Sequence, residues 1–308
     1  MVYFRDLDSY PTAVPFDTRL FESPRRGVVH TLAGVRHDGI YLRTANYPSL
    51  LIPTVSIVIC TYGRPESLNE TLTSLTAQTF KDFEVILITE KGDLSRLRDA
   101  GLRSARASIV SFIDDDVYCP PTWLEGVVKG FREGVVGVTG PTIITEELQK
   151  NRDCLRYKRI RQLQEWLFGV PSTPGKLSVC GAPSMGSNFE GCSYEGEVDY
   201  LECCNMSVKR KEAIDAGGFD SAYIRTAEWC EVDLAIRLGR AGTLSFTKNA
   251  LLFHRPSCRG IYGARLSTSH RWKNFTVFQS RWVKPSLRRH LYWAFIWTYL
   301  KMKNWRMI

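Results

Sequence analysis

Residues Ile109–Asp116 read IVSFIDDD, a β-branched and aromatic run that leads straight into three carboxylates. Ile109–Ile113 has the composition of a strand covered on both faces. Two runs of the same kind precede it, Thr54–Cys60 (TVSIVIC) and Phe83–Thr89 (FEVILIT). Between the first two, Gly63 ends the strand and Pro65 opens a helix as a first-turn proline, with Leu68, Leu72 and Leu75 at helical spacing. Between the second and third, Leu94, Leu97, Gly101 and Ala105 form another helical stripe. Beyond the triplet, Pro120 and Pro121 start a helix carrying Leu124, Val127, Val128 and Phe131, and a strand follows at Val135–Thr139. Strands alternating with helices of this length build βαβ units and a parallel sheet. Right-handed crossovers then bring the C-terminal ends of the strands to one edge, where open α/β sheets bind ligands. The predicted class is therefore α/β, with a Rossmann-like, mostly parallel sheet flanked by helices.

The flanks are less regular. Residues 1–52 have weak periodicity and scattered prolines, and read as an N-terminal extension of short strands and loops. The catalytic-type domain is expected over 53–258. Within it, Leu155–Phe168 reads as a basic amphipathic helix and Cys180–Glu197 as a loop rich in glycine and serine. Val198–Val208 reads as a strand region, Lys211–Ala216 as a short helix stopped by Gly217-Gly218, and Trp229–Ala241 as a helix closed by Gly242. Residues 259–308 form a basic, aromatic C-terminal helical region.

Composition narrows the function classes. With 44% hydrophobic residues, the 308-residue chain can bury a sizeable core and is not a disordered protein. The net charge of +9 is concentrated in Arg152–Arg161 and in the last fifty residues, a pattern open to nucleic acid, anionic lipid or phosphorylated ligands. Nine cysteines without a CxxC pair fit neither a zinc ribbon nor a disulfide framework, and point to buried thiols in a reducing compartment. The opening MVYFRDLDSY lacks the apolar stretch of a secretory signal, and Leu291–Leu300 is short for a membrane span of about 20 residues. A cytoplasmic location is expected.

The acidic triplet is where chemistry concentrates. Side chains alternate along a strand, so Asp114 and Asp116 project together and Asp115 oppositely. Two carboxylates meeting at a ligand-binding edge make a hard-oxygen site for Mg²⁺ or Mn²⁺. Such an ion can bridge the two phosphates of a nucleoside diphosphate and offset charge as it leaves. The bland alternative is acidic residues that merely end a strand and start a turn.

Four stretches in fixed order resemble glycosyltransferase family 2. They are VSIVICTYGRPESLNETLTSLTAQTF at Val55–Phe80, IVSFIDDDVYCPPTWLE at Ile109–Glu125, ECCNMSVKRKEAIDAGGFD at Glu202–Asp220, and AEWCEVDLAIRLGRAG at Ala227–Gly242. The resemblance spans Val55 to His254 and implies a GT-A fold, a nucleotide-sugar donor, a divalent metal and an inverting single displacement. It implies that Thr61, Tyr62 and Arg64 lie in the loop that touches the nucleotide. Glu90 stands where the family often has a base-contacting aspartate, leaving the identity of the base open. Arg98 and Asp99 fall in the stretch that approaches the nucleotide. Asp114 is placed at ribose or metal, Asp115 beside the nucleotide, and Asp116 as main metal ligand, with His254 reaching the metal or diphosphate. Where the family reads E-D-x-D-L, this chain has Cys230-Glu231-Val232-Asp233-Leu234, so Glu231 takes the general-base position. A base there removes the acceptor proton on the face opposite the leaving group. Glu228 is the reserve candidate, one turn earlier if the helix includes it. Asp233 is read as an i,i+4 partner of Arg237, and Asn205 and Met206 fall on the acceptor side, although packing accounts equally for Met206.

Two other functions compete. A sugar-phosphate nucleotidyltransferase also pairs an α/β nucleotide fold with acidic metal ligands, but carries a glycine-rich loop where this chain has CTYGRPE at Cys60–Glu66. A basic nucleic-acid-binding protein suits the aromatics among cations, yet no helix-turn-helix, RRM or zinc pattern is present and no nucleic acid partner is expected. From Ser269 onward Trp272, Phe275, Phe278, Trp282, Trp293, Phe295, Trp297 and Trp305 stand among Arg and Lys. This tail either packs on the core or makes a peripheral contact with the cytoplasmic face of a membrane, near a glycan or lipid-linked acceptor.

Overall fold

The computed structural model describes residues 41–45, 52–144, 155–184, 194–255 and 268–305. Its centre is an eight-stranded sheet. In chain order the strands are β1 (Tyr41–Ala45), β2 (Val55–Cys60), β3 (Phe83–Ile88), β4 (Ile109–Ile113), β5 (Val117–Tyr118), β6 (Val135–Thr139), β7 (Thr142–Ile144), β8 (Gly196–Glu197), β9 (Asn205–Lys209), β10 (Thr243–Phe246) and β11 (Leu252–His254). The helices are α1 (Pro65–Thr76), α2 (Leu94–Ser104), α3 (Trp123–Gly130), α4 (Leu155–Phe168), α5 (Arg210–Asp215), α6 (Cys230–Leu238), α7 (Thr268–Trp282) and α8 (Leu287–Trp305). The large sheet runs β1-β3-β2-β4-β9-β6-β10-β8. Strands β3, β2, β4, β6 and β10 share one direction, whereas β1, β9 and β8 oppose it. The expected parallel arrangement thus holds for β2, β3 and β4, and an antiparallel strand separates them from β6. Strand β1, from within residues 1–52, extends the same sheet.

Alternation along the strands builds two cores. Val55, Ile57 and Ile59 of β2 face one cluster with Leu68, Leu72 and Leu75 of α1 and Trp123, Leu124 and Val127 of α3. Val58 of β2 and Val110 and Phe112 of β4 face the other, with Leu97 of α2 and Val232, Leu234 and Ala235 of α6. Each Val, Leu, Ile or Phe among them stabilises the fold by roughly 1.5–3 kcal/mol through removal from water. Gly101 sets the contact of α2 with the sheet, since a Cβ there would lie 2.4 Å from Val58 Cγ1. Polar groups inside the sheet are paired. Ser111 and Ser207 hydroxyls meet at 2.8 Å, and buried Glu84 accepts from Ser56 at 2.7 Å while its other oxygen pairs with Arg106 at 3.1 Å.

A second, three-stranded sheet, β5-β11-β7, caps the edge where β4 ends. Its β11 pairs with β5 (His254↔Val117) and with β7 (His254↔Ile144). The basic amphipathic helix has the limits expected, Leu155–Phe168, whereas the strand expected over Val198–Val208 shortens to β9 and the helix expected from Trp229 starts at Cys230. Half of Cys180–Glu197 (185–193) and the side chains of the charge run Arg152–Arg161 lie outside what is described. The tail divides in two. Phe275 and Phe278 of α7 are fully buried, as is Tyr292 of α8 to 2%. The outer face of α8 exposes Leu287, Leu291, Trp297 and Tyr299, and neighbouring α4 exposes Leu163 and Trp166.

Candidate active site

The chain leaves β4 at Ile113, and the next residues turn at the edge between β2 and β9. The expected alternation persists through that turn. Asp114 and Asp116 approach one ring nitrogen, His254 Nε2, at 3.6 and 3.1 Å. Asp115 points inward, where it accepts from Thr61 Oγ1 at 2.6 Å and pairs with Arg64. Arg64 also reaches Asp116 Oδ2 at 2.7 Å. The loops after β2 and β4 are thereby bound to each other at the point where sequence neighbours diverge across the sheet, the usual ligand crevice of α/β folds. Burial pushes the Asp115 carboxyl up to about 6, against the Thr61 hydrogen bond and the Arg64 charge. Asp115, expected at the nucleotide, is fully buried and holds Thr61 and Arg64 in place instead.

His254 reaches this edge because β5 follows the triplet directly. The β5–β11 pairing sets His254 opposite Val117, and Arg255 donates its backbone N–H to Asp116 O at 2.8 Å. Burial disfavours a charge on His254, but the hydrogen bond to Asp116 and the charges of Asp114 and Asp116 outweigh it and raise its pKa. The register Ile113↔Asn205 puts the start of β9 beside the end of β4. Asp114, Cys204 and His254 consequently offer ligand atoms that all lie within 4.8 Å of one another. Carboxylate, imidazole and thiol around one point fit a divalent first-row cation. Cys204 was not a sequence candidate; it reaches the site through the β9–β4 pairing, which local pattern does not reveal. Asp116, the expected main ligand, borders this set and shares its oxygens with Arg64 and His254.

Across from Asp114 stands Arg98 of α2, its guanidinium 3.6 Å from Asp114 Oδ1 and 3.8 Å from Cys230 Sγ. Cys230 Sγ in turn lies 3.5 Å from Glu231 Oε2. Burial raises the Glu231 pKa, and Arg98 and the Cys230 contact hold the rise down. The segment leading to Glu231 is bent hard. Arg225 (φ 57), Ala227 (φ 49) and Trp229 (φ 69) are all left-handed without being glycine, a conformation that costs on the order of 1–3 kcal/mol each and needs its surroundings to hold it. Those surroundings are α7. Asn274 accepts from the Ile224 N–H at 2.9 Å and donates to Ile224 O at 2.9 Å, and Arg271 pairs with Glu228 at 3.2 Å.

Several expected positions lie elsewhere. Glu228 precedes α6 and shares no helix face with Glu231; its carboxylate takes Thr226 Oγ1 at 2.6 Å as well as Arg271. Asp99 follows Arg98 by one residue and so points away, to Arg103 at 2.7 Å and the Phe219 N–H at 3.1 Å. Glu90 pairs with Arg96, and Tyr62 is exposed with Lys91 5.9 Å from its ring centre, both at the mouth of the edge. Asn205 is buried, accepting from Trp123 Nε1 at 3.0 Å and donating to Ala250 O at 2.8 Å, a structural rather than an acceptor-facing arrangement. Met206 is core. Asp233 is paired with Arg237 at 2.7 Å as the spacing indicated, and also receives Trp282 Nε1 at 2.7 Å and Tyr223 OH at 3.2 Å.

Comparison with known proteins bears on this geometry. The family model described as glycosyl transferase family 2 matches residues 56–91 and 88–181. The chain is 24% identical over 196 residues to a glucosyl-dolichyl phosphate glucuronosyltransferase of Haloferax volcanii, covering 54% of this chain and 56% of that one. It therefore spans about half the length of that curated relative. Among solved structures it resembles the mannosyltransferase PcManGT from Pyrobaculum calidifontis in complex with GDP-Man and Mn²⁺ (TM-score 0.48, 14% identity, 83% of this chain and 72% of that one). It also resembles GalNAc-T7 with UDP, GalNAc and Mn²⁺ (TM-score 0.47, 11% identity, 70% and 46%). The family match falls on neither the nucleotidyltransferase nor the nucleic-acid alternative. Residues 56–181, which hold β2 to β7 and the acidic turn after β4, are thus similar to glycosyl transferase family 2.

Proposed function

We propose that this protein transfers a sugar from a nucleoside diphosphate sugar to an acceptor hydroxyl, with inversion, using a divalent cation and Glu231 as base. The observation that carries the reading is Arg98. One buried guanidinium lies between Asp114, on the cation side, and the Cys230–Glu231 corner of α6. The cation ligands and the proposed base therefore flank the same guanidinium. Asp114, Asp116 and His254 would hold Mg²⁺ or Mn²⁺; when bound, the cation neutralises the departing diphosphate. Arg64 fixes the orientation of Asp116 through their ion pair. Tyr62 and Glu90 border the mouth and are assigned to the nucleoside. Glu231, with its raised pKa, takes the acceptor proton as the hydroxyl attacks. A thermal-shift panel of UDP-, GDP- and dTDP-sugars with Mg²⁺ or Mn²⁺ tests the scheme. Asp116→Ala should lose the metal-dependent shift, and Glu231→Gln should bind donor normally and turn over poorly. Full turnover by Glu231→Gln refutes the base.

A lipid-linked acceptor is favoured over a free glycan by two observations. The Haloferax relative is named for a dolichyl phosphate acceptor. Leu163, Trp166, Leu287, Leu291 and Trp297 project from α4 and α8 at exposures of 44–77%, alongside exposed Arg288 and Lys301. Rings and aliphatics flanked by cations suit the lipid–water interface. Among the described residues no helix is long and apolar enough to cross a membrane, so the contact proposed is peripheral. Flotation with anionic liposomes should be lost in the Leu287→Glu, Leu291→Glu, Trp297→Glu triple variant. These point changes are preferable to deleting α8, which would uncover the buried Tyr292.

A further inference from the structure

Cys204 has no part in the transfer scheme above, yet it stands among the groups that converge at the sheet edge. Its Sγ, a carboxylate oxygen of Asp114 and a ring nitrogen of His254 lie within 4.8 Å of one another. One cation bridges such a span with bonds of about 2.0–2.3 Å to oxygen, nitrogen and sulfur. The placement is fixed by backbone pairing. β9 runs antiparallel to β4 with Asn205 opposite Ile113, so the residues one step beyond each, Cys204 and Asp114, are brought together. Asn205 anchors that corner through Trp123, Pro141 and Ala250, and the Cys204 side chain is 7% exposed with the Thr142 hydroxyl at 3.9 Å. His254 is presented from the other side by its pairing with β5 and β7.

We propose that Cys204 is a cation ligand alongside Asp114 and His254, and that its sulfur makes the site favour borderline-soft ions such as Zn²⁺, Co²⁺ or Cd²⁺ over Mg²⁺. Thiolate ligands select such metals, whereas an all-oxygen set suits magnesium. As the sulfur–metal bond forms, the thiol proton passes to water, so ligation carries charge into the site only when metal enters. The inference rests on the metal-dependent reading above, and the experiment separates the two.

The full chain is titrated with Co²⁺ alone, without nucleotide sugar, and followed by absorption spectroscopy. The wild type and Cys203→Ser should develop a near-ultraviolet thiolate-to-cobalt charge-transfer band, and Cys204→Ser should lack it while retaining weaker Co²⁺ binding. Calorimetric titration should show Cd²⁺ affinity falling in Cys204→Ser by at least the roughly 10–100-fold that loss of an outer-shell partner costs, with Mg²⁺ affinity nearly unchanged. Cobalt binding that disappears in Asp114→Ala but never produces a sulfur band overturns the Cys204 assignment and leaves the metal-dependent reading standing. A band that persists in Cys204→Ser does the same. Failure of the wild type to bind any of these ions overturns both. Should Cys204→Ser not fold, X-ray absorption at the zinc edge of the loaded wild type counts sulfur neighbours directly: one is expected, and none refutes the proposal.

Discussion

Substituting Gly140 by alanine should loosen the fold at the very point that presents His254. A Cβ at Gly140 would sit 2.2 Å from Ala250 O, 2.6 Å from Ala250 C and 2.7 Å from Thr247 O. All three atoms are backbone, so no side chain can swing aside, and relief requires the 247–250 turn to retreat by about 1 Å to reach ordinary contact. That turn is held by Thr247 N–H to Thr139 O at 2.9 Å and by Asn205 Nδ2 to Ala250 O at 2.8 Å, and it leads directly into β11. Overpacking of this kind costs about 1–3 kcal/mol, and weakening the buried Asn205 bond adds about 1 kcal/mol. A total of about 2–4 kcal/mol corresponds to a Tm lower by roughly 5–15 °C in a domain of this size. Differential scanning calorimetry, with Mn²⁺ titrated in parallel, reads both stability and the loss of cation affinity expected from moving His254. Gly134→Ala is the control. It pays for a left-handed backbone (φ +75) but its Cβ meets nothing within 4 Å, so it should cost about 1–2 kcal/mol and leave cation affinity alone. A Gly140→Ala protein with the Tm and Mn²⁺ affinity of the wild type would refute the argument.

Three further outcomes follow from the described contacts. Asp233→Asn leaves Arg237, Trp282 Nε1 and Tyr223 OH facing an uncharged amide in a buried position, and should lower unfolding free energy by about 3–5 kcal/mol in urea titrations. The acid limb of the transfer-rate profile should lie above the ordinary glutamate range, because burial raises the Glu231 pKa and the base must be ionised; Arg98→Met should move that limb higher still. The same group has the opposite sign in stability. Its folded pKa exceeds its unfolded one, so its contribution is complete at low pH and declines as pH rises through the folded value, a loss that Glu231→Gln should abolish. Glu228→Ala should lower activity through disorder of the Arg225–Trp229 bend while Arg271→Ala reproduces it, since each removes one side of the same ion pair; independent, additive losses would contradict this pairing.

Local pattern was enough to read the first half of the fold. TVSIVIC, FEVILIT and IVSFI became β2, β3 and β4 because each buries both faces, and the leucine stripes between them became α1 and α2. What stayed hidden depends on which strands pair. Nothing in NMSVK at Asn205–Lys209 indicates that it inserts antiparallel between β4 and β6, and without that register Cys204 cannot be placed beside Asp114. The convergence of Asp114 and Asp116 was legible from a period of two, and His254 was legible through the family pattern. Asp99 lies away from Asp114 because adjacent residues on a helix face about 100° apart, so α2 can turn Arg98 or Asp99 toward Asp114, not both. The shared face of Glu228 and Glu231 required a helix that includes Glu228, and the left-handed Trp229 before Cys230 rules that out. Asp233 was read as a local pair, yet its other partners, Tyr223 and Trp282, come from beyond the helix.

The left-handed bend at Arg225–Trp229 has a consequence for biosynthesis. Its side-chain anchors, Arg271 and Asn274, are made some forty residues after the bend itself. A nascent chain on the ribosome can assemble every strand of the sheet while this corner still lacks its anchors. The corner that carries Glu231 is therefore completed later in synthesis than the described strands, only once α7 has been made.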